Sequence, residues 1–247
     1  RKGKTTGENV ARSSLGLFGR QLEMIQAAKM MGKPIVVILV NGRPIAEPWL
    51  VENIDVIIEA WEPGAKGGEA LADIIMGQIN PSGKLPITIP YSVGHLQAIY
   101  DHKPSAYRHK FVDTPTKNLF EFGFGLSYST YEYEAPKLSK KQIKSDESTS
   151  ISVKLTNTGK YGGAEIVQLY IRDDFSQITR PVKELKGFKR IYLESGESAT
   201  IEFLVEPDML AYYNRDMEWT VEQGSYTLMI GPSSRQSDLK SAKLIVN

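Results

Sequence analysis

Hydrophobic residues follow two different spacings along the chain. In residues 1–90, helical spacing at 19–31 and 67–77 alternates with a continuous, mostly β-branched run at 35–40 and a second apolar-rich run at 56–61. Such runs are typical of parallel strands buried on both faces. Because helices and strands alternate, we predict an α/β domain with a mainly parallel sheet and helices on both faces.

Two weaker elements complete this first half. Residues 49–53 predict a short helix, and the proline-bounded stretch 85–90 predicts an edge strand. From residue 91 to 130 the periodicity ends, while proline, glycine and aromatic residues remain frequent. We expect an ordered connection here, lying across a domain interface.

The remaining residues, 131–247, show the two-residue alternation of half-buried strands. The predicted strands are 150–156, 165–172, 185–191, 199–205, 218–221, 225–230 and 242–246. Seven short strands separated by turn residues are typical of an antiparallel sandwich of the immunoglobulin or fibronectin type III kind. We therefore predict three regions, 1–90, 91–130 and 131–247.

Composition excludes several classes of protein. The 247 residues include 30 Lys and Arg against 29 Asp and Glu, a formal net charge of +1, and no Cys. This balance argues against a strongly basic nucleic-acid binder. The lack of Cys excludes disulfides, zinc–thiolate sites and cysteine nucleophiles. No apolar run approaches the ~18 residues of a membrane span. From the charge balance we expect no nucleic-acid partner, and from the short apolar runs we expect no membrane span.

Few short motifs point to chemistry. Residues 77–84 imitate a phosphate-binding loop, but the glycine spacing is too long and Leu85 replaces the hydroxyl residue that would hold Mg²⁺. The three histidines, His95, His102 and His109, could form a metal cluster, although evenly spaced loop histidines are more often unrelated. A lysine cluster is expected to be a solvated edge; it comprises Lys137, Lys140, Lys141 and Lys144.

Several stretches, in order, resemble glycoside hydrolase family 3. They are Gly7-Glu8-Asn9-Val10-Ala11-Arg12 with Leu15, Leu17 and Gln21; Gly32-Lys33-Pro34; Gly42-Arg43-Pro44; Trp61-Glu62-Pro63-Gly64; Asn80-Pro81-Ser82-Gly83; Asp101-His102-Lys103-Pro104; Phe120–Tyr128; and Asn157-Thr158-Gly159. Phe18 stands where the family usually has Pro, which affects the entry to the first helix.

The resemblance implies an enzyme with a (β/α)8 barrel, an α/β sandwich and a fibronectin type III-like domain. This chain is expected to carry the C-terminal portion of the sandwich and the whole of the last domain. The barrel, which carries the nucleophilic Asp, would be its partner and lies outside the chain; a homodimer is left open. The implied activity is that of an exo-acting retaining β-glycosidase, periplasmic or secreted, which releases terminal β-D-glucosyl or β-D-xylosyl residues from oligosaccharides without metal or cofactor.

The resemblance also implies candidate site residues. Glu8 stands where the family has its general acid/base. Arg12 could orient Glu8 or contact sugar, whereas Arg43 is expected to be mainly structural. His102, with Lys103 and Tyr107, could line the interface or outer substrate subsites. Because retaining hydrolysis needs two carboxyl groups, the chain alone is predicted to be inactive.

Alternative roles for the aromatic residues stay open at this stage. Trp49 and Trp61 could be sugar platforms, but a core role is favoured for Trp61. The β-sandwich could be a non-catalytic module that binds polysaccharide through Tyr212, Tyr213 and Trp219. A coplanar exposed row would favour that alternative, and burial would favour plain structural support.

Overall fold

The structure, a computed structural model, describes residues 12–104 and 110–247. The chain divides into two compact units. The α/β unit comprises 12–78, 88–98 and 110–120, and the β unit comprises 79–87, 99–104 and 121–247. Over the described ranges, no helix has both the length and the apolar character needed to cross a membrane.

The α/β unit has the predicted order of elements. They are α1 (Gln21–Lys29), β1 (Val36–Val40), α2 (Pro48–Asn53), β2 (Val56–Trp61) and α3 (Gly67–Ile75). Strands β1 and β2 pair in parallel, and α2 lies in the connection between them, as a parallel pair requires. Gly32 and Gly77 follow α1 and α3 at positive φ, 66° and 74°, the usual end of a helix.

One face of β1 packs and the other is open. Val37, Leu50 and Ile54 form a small buried cluster, against which the side chain of Trp49 packs. On the opposite face, Val40 is 64% exposed, and Val36 and Ile38 are also exposed. The prediction that β1 is buried on both faces is therefore wrong, because the described residues of the chain cover only one side of this strand.

The edge strand predicted at 85–90 is also wrong. In this segment the structure has an isolated antiparallel bridge, between Ile89 and Phe120. Pro86 and Pro90 have no backbone N–H, so they cannot donate to a strand ladder.

The β unit is a sandwich of two sheets, which confirms the predicted fold class. Its strands are β3 (Tyr131–Tyr133), β4 (Lys137–Leu138), β5 (Gln142–Ile143), β6 (Thr149–Asn157), β7 (Gly163–Asp173), β8 (Glu184–Leu193), β9 (Ser198–Val205), β10 (Tyr212–Tyr213), β11 (Trp219–Thr220), β12 (Gly224–Gly231) and β13 (Lys240–Val246). A short helix, α4 (Pro207–Leu210), follows β9. One sheet has the order β5-β13-β12-β7-β8; in the other, β3, β4 and β9 all pair with β6. Strands β10 and β11 belong to neither and form a separate two-stranded sheet.

Alternation along the central strands builds the core of the β unit. In β7, Val167, Leu169 and Ile171 face the other sheet and are buried, as two-residue periodicity requires. All strand pairs in the two sheets are antiparallel except β13 with β5. The sequence missed the short strands β3, β4, β5 and β10.

The outer face of the five-stranded sheet is covered by segments that precede the sandwich in sequence. Tyr100 stacks on Phe122, with ring centroids 4.2 Å apart, and meets Tyr170 of β7 edge-on at 5.9 Å. The Gln168 amide donates to the Gly123 carbonyl at 3.1 Å. A side chain at Gly123 would collide with Gln168, so this close approach requires glycine. The β unit therefore includes part of the region predicted as a connection.

Candidate active site

Several polar side chains lie close together at the carboxyl ends of β1 and β2. Asn41 and Arg43 follow β1, while Glu59 lies near the end of β2. The Asn41 amide donates to the Arg43 carbonyl at 2.6 Å and to Glu59 Oε2 at 3.4 Å. In α/β folds, ligands gather at this edge of the sheet. The arrangement thus joins two strand ends through one amide.

Glu59 is the carboxyl group in this cluster. Its Oε1 accepts a hydrogen bond from the Trp61 backbone N–H at 3.2 Å. Burial raises the pKa of Glu59 to about 7, and this hydrogen bond partly opposes the rise. The side chain can therefore hold or release a proton near neutral pH. Sequence reasoning missed Glu59, although an acidic residue inside the apolar run 56–61 was an available signal.

Arg43 connects the cluster to the segment that follows Glu8. Its Nη1 donates to the Arg12 carbonyl at 3.0 Å, so the two candidate arginines are brought together. The Arg12 guanidinium lies over the Phe18 ring, 5.1 Å from its centroid. Among the described residues, Arg43 Nη2 and Asn41 Oδ1 are buried without a hydrogen-bond partner. Arg43 thus holds the backbone at Arg12 through Nη1, while its Nη2 group is still able to donate a hydrogen bond. Glu8 itself lies outside the described residues.

The other candidates fall elsewhere. His102 belongs to the β unit, where its backbone carbonyl accepts from Val182 N–H at 2.9 Å. Lys103 is exposed in the same stretch, and Tyr107 lies outside the described residues. Trp49 packs on the small core cluster of the α/β unit, and Trp61 is half-buried at a positive φ of 50°.

Histidines do not gather into a metal site within the described ranges. Both ring nitrogens of His95 have partners, Ser92 Oγ and the Pro115 carbonyl, each at 2.9 Å. No group of three or more His, Cys, Asp or Glu side chains in 12–104 and 110–247 has metal-binding geometry. His109 lies outside those ranges.

The three aromatic residues considered for polysaccharide binding do not form a flat row. Tyr212 is buried, with its hydroxyl donating to Glu222 at 2.5 Å and Arg180 over its ring at 4.9 Å. Tyr213 and Trp219 are exposed, but their rings are inclined by 58°. A sugar face cannot lie flat on both rings at once.

Family models match both parts of the chain. The model for the glycosyl hydrolase family 3 C-terminal domain matches residues 2–128. The model for the fibronectin type III-like domain matches residues 165–234.

Two curated relatives cover nearly all of the chain. It is 43% identical to a β-xylosidase of Formosa agariphila over 98% of its length, and this match spans 34% of that relative. It is 37% identical to a periplasmic β-glucosidase of Salmonella typhimurium over 96% of its length, which spans 32% of the relative. The chain therefore spans about a third of the length of these curated relatives.

Two solved structures match nearly the whole length of the chain. A β-glucosidase of Erythrobacter marinus matches with a TM-score of 0.93 at 37% identity, over 100% of this chain and 33% of its own. A β-glucosidase of Listeria innocua in complex with glucose matches with a TM-score of 0.91 at 31% identity, over 98% of this chain and 35% of its own.

Proposed function

This chain belongs to glycoside hydrolase family 3, and we propose that it is the C-terminal part of an exo-acting retaining β-glycosidase. Terminal β-D-glucosyl or β-D-xylosyl residues of oligosaccharides are the proposed substrates. The names of the relatives, β-xylosidase and β-glucosidase, support this substrate class. The proposed partner is a (β/α)8 barrel outside the chain, and the periplasmic relative supports a periplasmic or secreted location.

In this proposal Glu8 is the general acid/base. As the barrel Asp attacks the anomeric carbon, Glu8 gives its proton to the glycosidic oxygen, so that the departing sugar leaves as an alcohol. Glu8 then takes a proton from water, and the resulting hydroxide breaks the glycosyl–Asp bond. The two carboxyl groups must stand about 5–5.5 Å apart for this sequence of steps.

The observation that carries the proposal is the hydrogen bond from Arg43 to the Arg12 carbonyl, 3.0 Å long. It ties the chain four residues after Glu8 to the carboxyl end of β1. A general acid must reach its oxygen within hydrogen-bond distance, so an anchored flank serves the role. Arg12 and Arg43 are proposed to orient the loop, and His102 to lie near outer subsites.

The test is Glu8→Gln in the complete enzyme, with Glu23→Gln as the matched control because Glu23 is exposed on α1. Loss of a general acid should slow alkyl β-glucosides about 10²–10⁴-fold. The 2,4-dinitrophenyl glucoside should be far less affected at the glycosylation step, since its leaving group needs no proton. Azide should restore turnover by attacking the glycosyl–enzyme.

Two results would reject the assignment. One is full activity of Glu8→Gln on the alkyl glucosides. The other is an equal loss of the glycosylation rate on both leaving groups while Glu23→Gln keeps full activity, because the loss of a proton donor should depend on the leaving group.

A further inference from the structure

The β unit contains a cavity of about 650 Å³ that the proposed catalysis does not use. It lies between β3, the start of β7 and the turn that follows β12, and segment 124–130 closes one side. This volume falls within the range of ligand pockets, about 300–1,000 Å³. All lining residues belong to the β unit.

A buried ion pair lies in the wall of the cavity. Lys84 Nζ lies 3.1 Å from Glu165 Oε1, with 12% and 4% of the two side chains exposed. The Tyr133 hydroxyl donates to the same oxygen at 3.1 Å, and Lys84 also donates to the Gly125 carbonyl at 3.0 Å. Burial raises the pKa of Glu165, against the opposing effect of Lys84. A buried charged pair with a full set of partners is rigid and presents a fixed pattern of polar atoms.

Flat side chains form another wall. The Arg235 guanidinium lies over the Phe124 ring, 4.9 Å from its centroid, and Asp238 lies 3.8 Å from the same guanidinium. Tyr131 and Tyr133 add two half-buried rings. A guanidinium stacked in this way keeps its N–H edge available for hydrogen bonds in the ring plane.

The charges in the lining cancel. Three cationic and three anionic residues line the cavity, together with hydroxyl residues such as Ser129 and Ser233; the charged residues are Lys84, Arg235, Lys240, Glu132, Glu165 and Asp238. A balanced lining gives no net attraction to an anion or a cation. Many donors and acceptors beside aromatic faces suit a ligand that is uncharged and rich in hydroxyl groups.

We propose that this cavity binds a short neutral glycan, with sugar hydroxyls on Arg235 and Asp238 and a sugar face against the tyrosine rings of β3. The site stands apart from the inclined pair Tyr213 and Trp219. It does not rest on the proposed catalytic role of Glu8, since binding here needs neither hydrolysis nor the barrel. The two proposals can therefore fail separately.

Titration of the intact chain with cellotetraose tests the site by NMR. Resonances of 124–133 and 232–240 should shift with one common dissociation constant in the millimolar range. Arg235→Ala should weaken binding at least about tenfold, the effect of losing hydrogen bonds to a charged group. Ser237→Trp, which fills the exposed rim, should do the same without removing a buried contact. The matched controls Ser145→Trp and Trp219→Ala should leave binding unchanged.

Three outcomes would overturn the proposal. The first is the absence of shifts at saturating cellotetraose. The second is loss of binding in Trp219→Ala but not in Ser237→Trp, which would assign the sugar to the exposed aromatic pair. The third is salt-sensitive, stronger binding of tetragalacturonate, which would show that the site selects charge.

Discussion

The two units differ in how far they complete their own cores. The β unit buries a cluster of seventeen hydrophobic residues between two sheets. Among the described residues, the corresponding cluster of the α/β unit has three members, Val37, Leu50 and Ile54. Burial of apolar area is the dominant stabilising contribution in folding, so the β unit is expected to hold most of the chain's stability.

The open face of β1 accounts for the small core of the α/β unit. Val36, Ile38 and Val40 form an apolar stripe on a two-stranded sheet, and an isolated pair of strands is marginally stable in water. The chain spans about a third of its relatives. The two units therefore differ in how completely their sheet faces are covered, although their strands have equally regular patterns in the sequence.

Deleting core atoms should give the largest difference between the units. Leu228→Ala removes a fully buried side chain from the β unit and should cost about 3–4 kcal/mol of unfolding free energy, from lost transfer energy and a residual cavity. Val37→Ala in the α/β unit should cost about 1 kcal/mol, since fewer atoms are removed and the site can collapse. Urea unfolding followed by far-UV circular dichroism measures both. Equal costs would show that the two cores are comparable.

A smaller effect should separate the units by pH. Because burial raises the pKa of Glu59 from 4.5 to about 7, the folded state holds this proton more tightly than the unfolded state. The contribution of Glu59 to stability is therefore complete below pH 4.5 and is lost as the pH rises through 7. Glu59→Gln should remove this pH dependence, which we expect to amount to about 1–2 kcal/mol of unfolding free energy. The effect is smaller than for a fully buried carboxyl group because solvent screens part of it.

The measurement for Glu59 is urea unfolding at several pH values, with the α/β-unit tryptophans Trp49 and Trp61 as probes. Glu62→Gln is the matched control, because Glu62 is a neighbouring but exposed glutamate. An unchanged pH profile in Glu59→Gln would mean that this carboxyl is not the proton-linked group.

The smallest effect is expected on the open face of β1. Val40→Lys should change the stability of the isolated chain by less than about 0.5 kcal/mol, as is usual for exposed positions. It should also reduce the binding of a hydrophobic dye. In the complete enzyme the same change should cost about 2–3 kcal/mol if this face becomes buried there. Equal small effects in both proteins would show that the face stays exposed.

The sequence predicted elements better than their surroundings. The alternation in 150–156 and 165–172 identifies β6 and β7 because two-residue periodicity is local. Burial of β1 depends on residues outside the run itself, so its β-branched pattern could not show that one face stays open. The prediction of a strand at 85–90 failed because it gave more weight to the apolar composition of this stretch than to the missing backbone N–H groups of Pro86 and Pro90.

The candidate site was predictable only in part. The turn after β1 drew attention to Arg43, but its contact with the Arg12 carbonyl joins residues 31 positions apart, and no local pattern reports such a pair. The ionisation of Glu59 likewise depends on burial. The cavity beside Glu165 combines Lys84 with residues beyond 230, so it exists only once the β unit has folded.

The interleaving of the two units limits how this chain could be recombined. Segments 79–87 and 99–104 belong to the β unit, while 88–98 belongs to the α/β unit. A single crossover near residue 130 would separate Tyr170 and Gln168 from the residues that cover them, Tyr100 and Gly123. We therefore expect that the fibronectin type III-like domain cannot be exchanged as an independent unit. A graft that begins at β3 would lack the segments that cover the outer face of its five-stranded sheet.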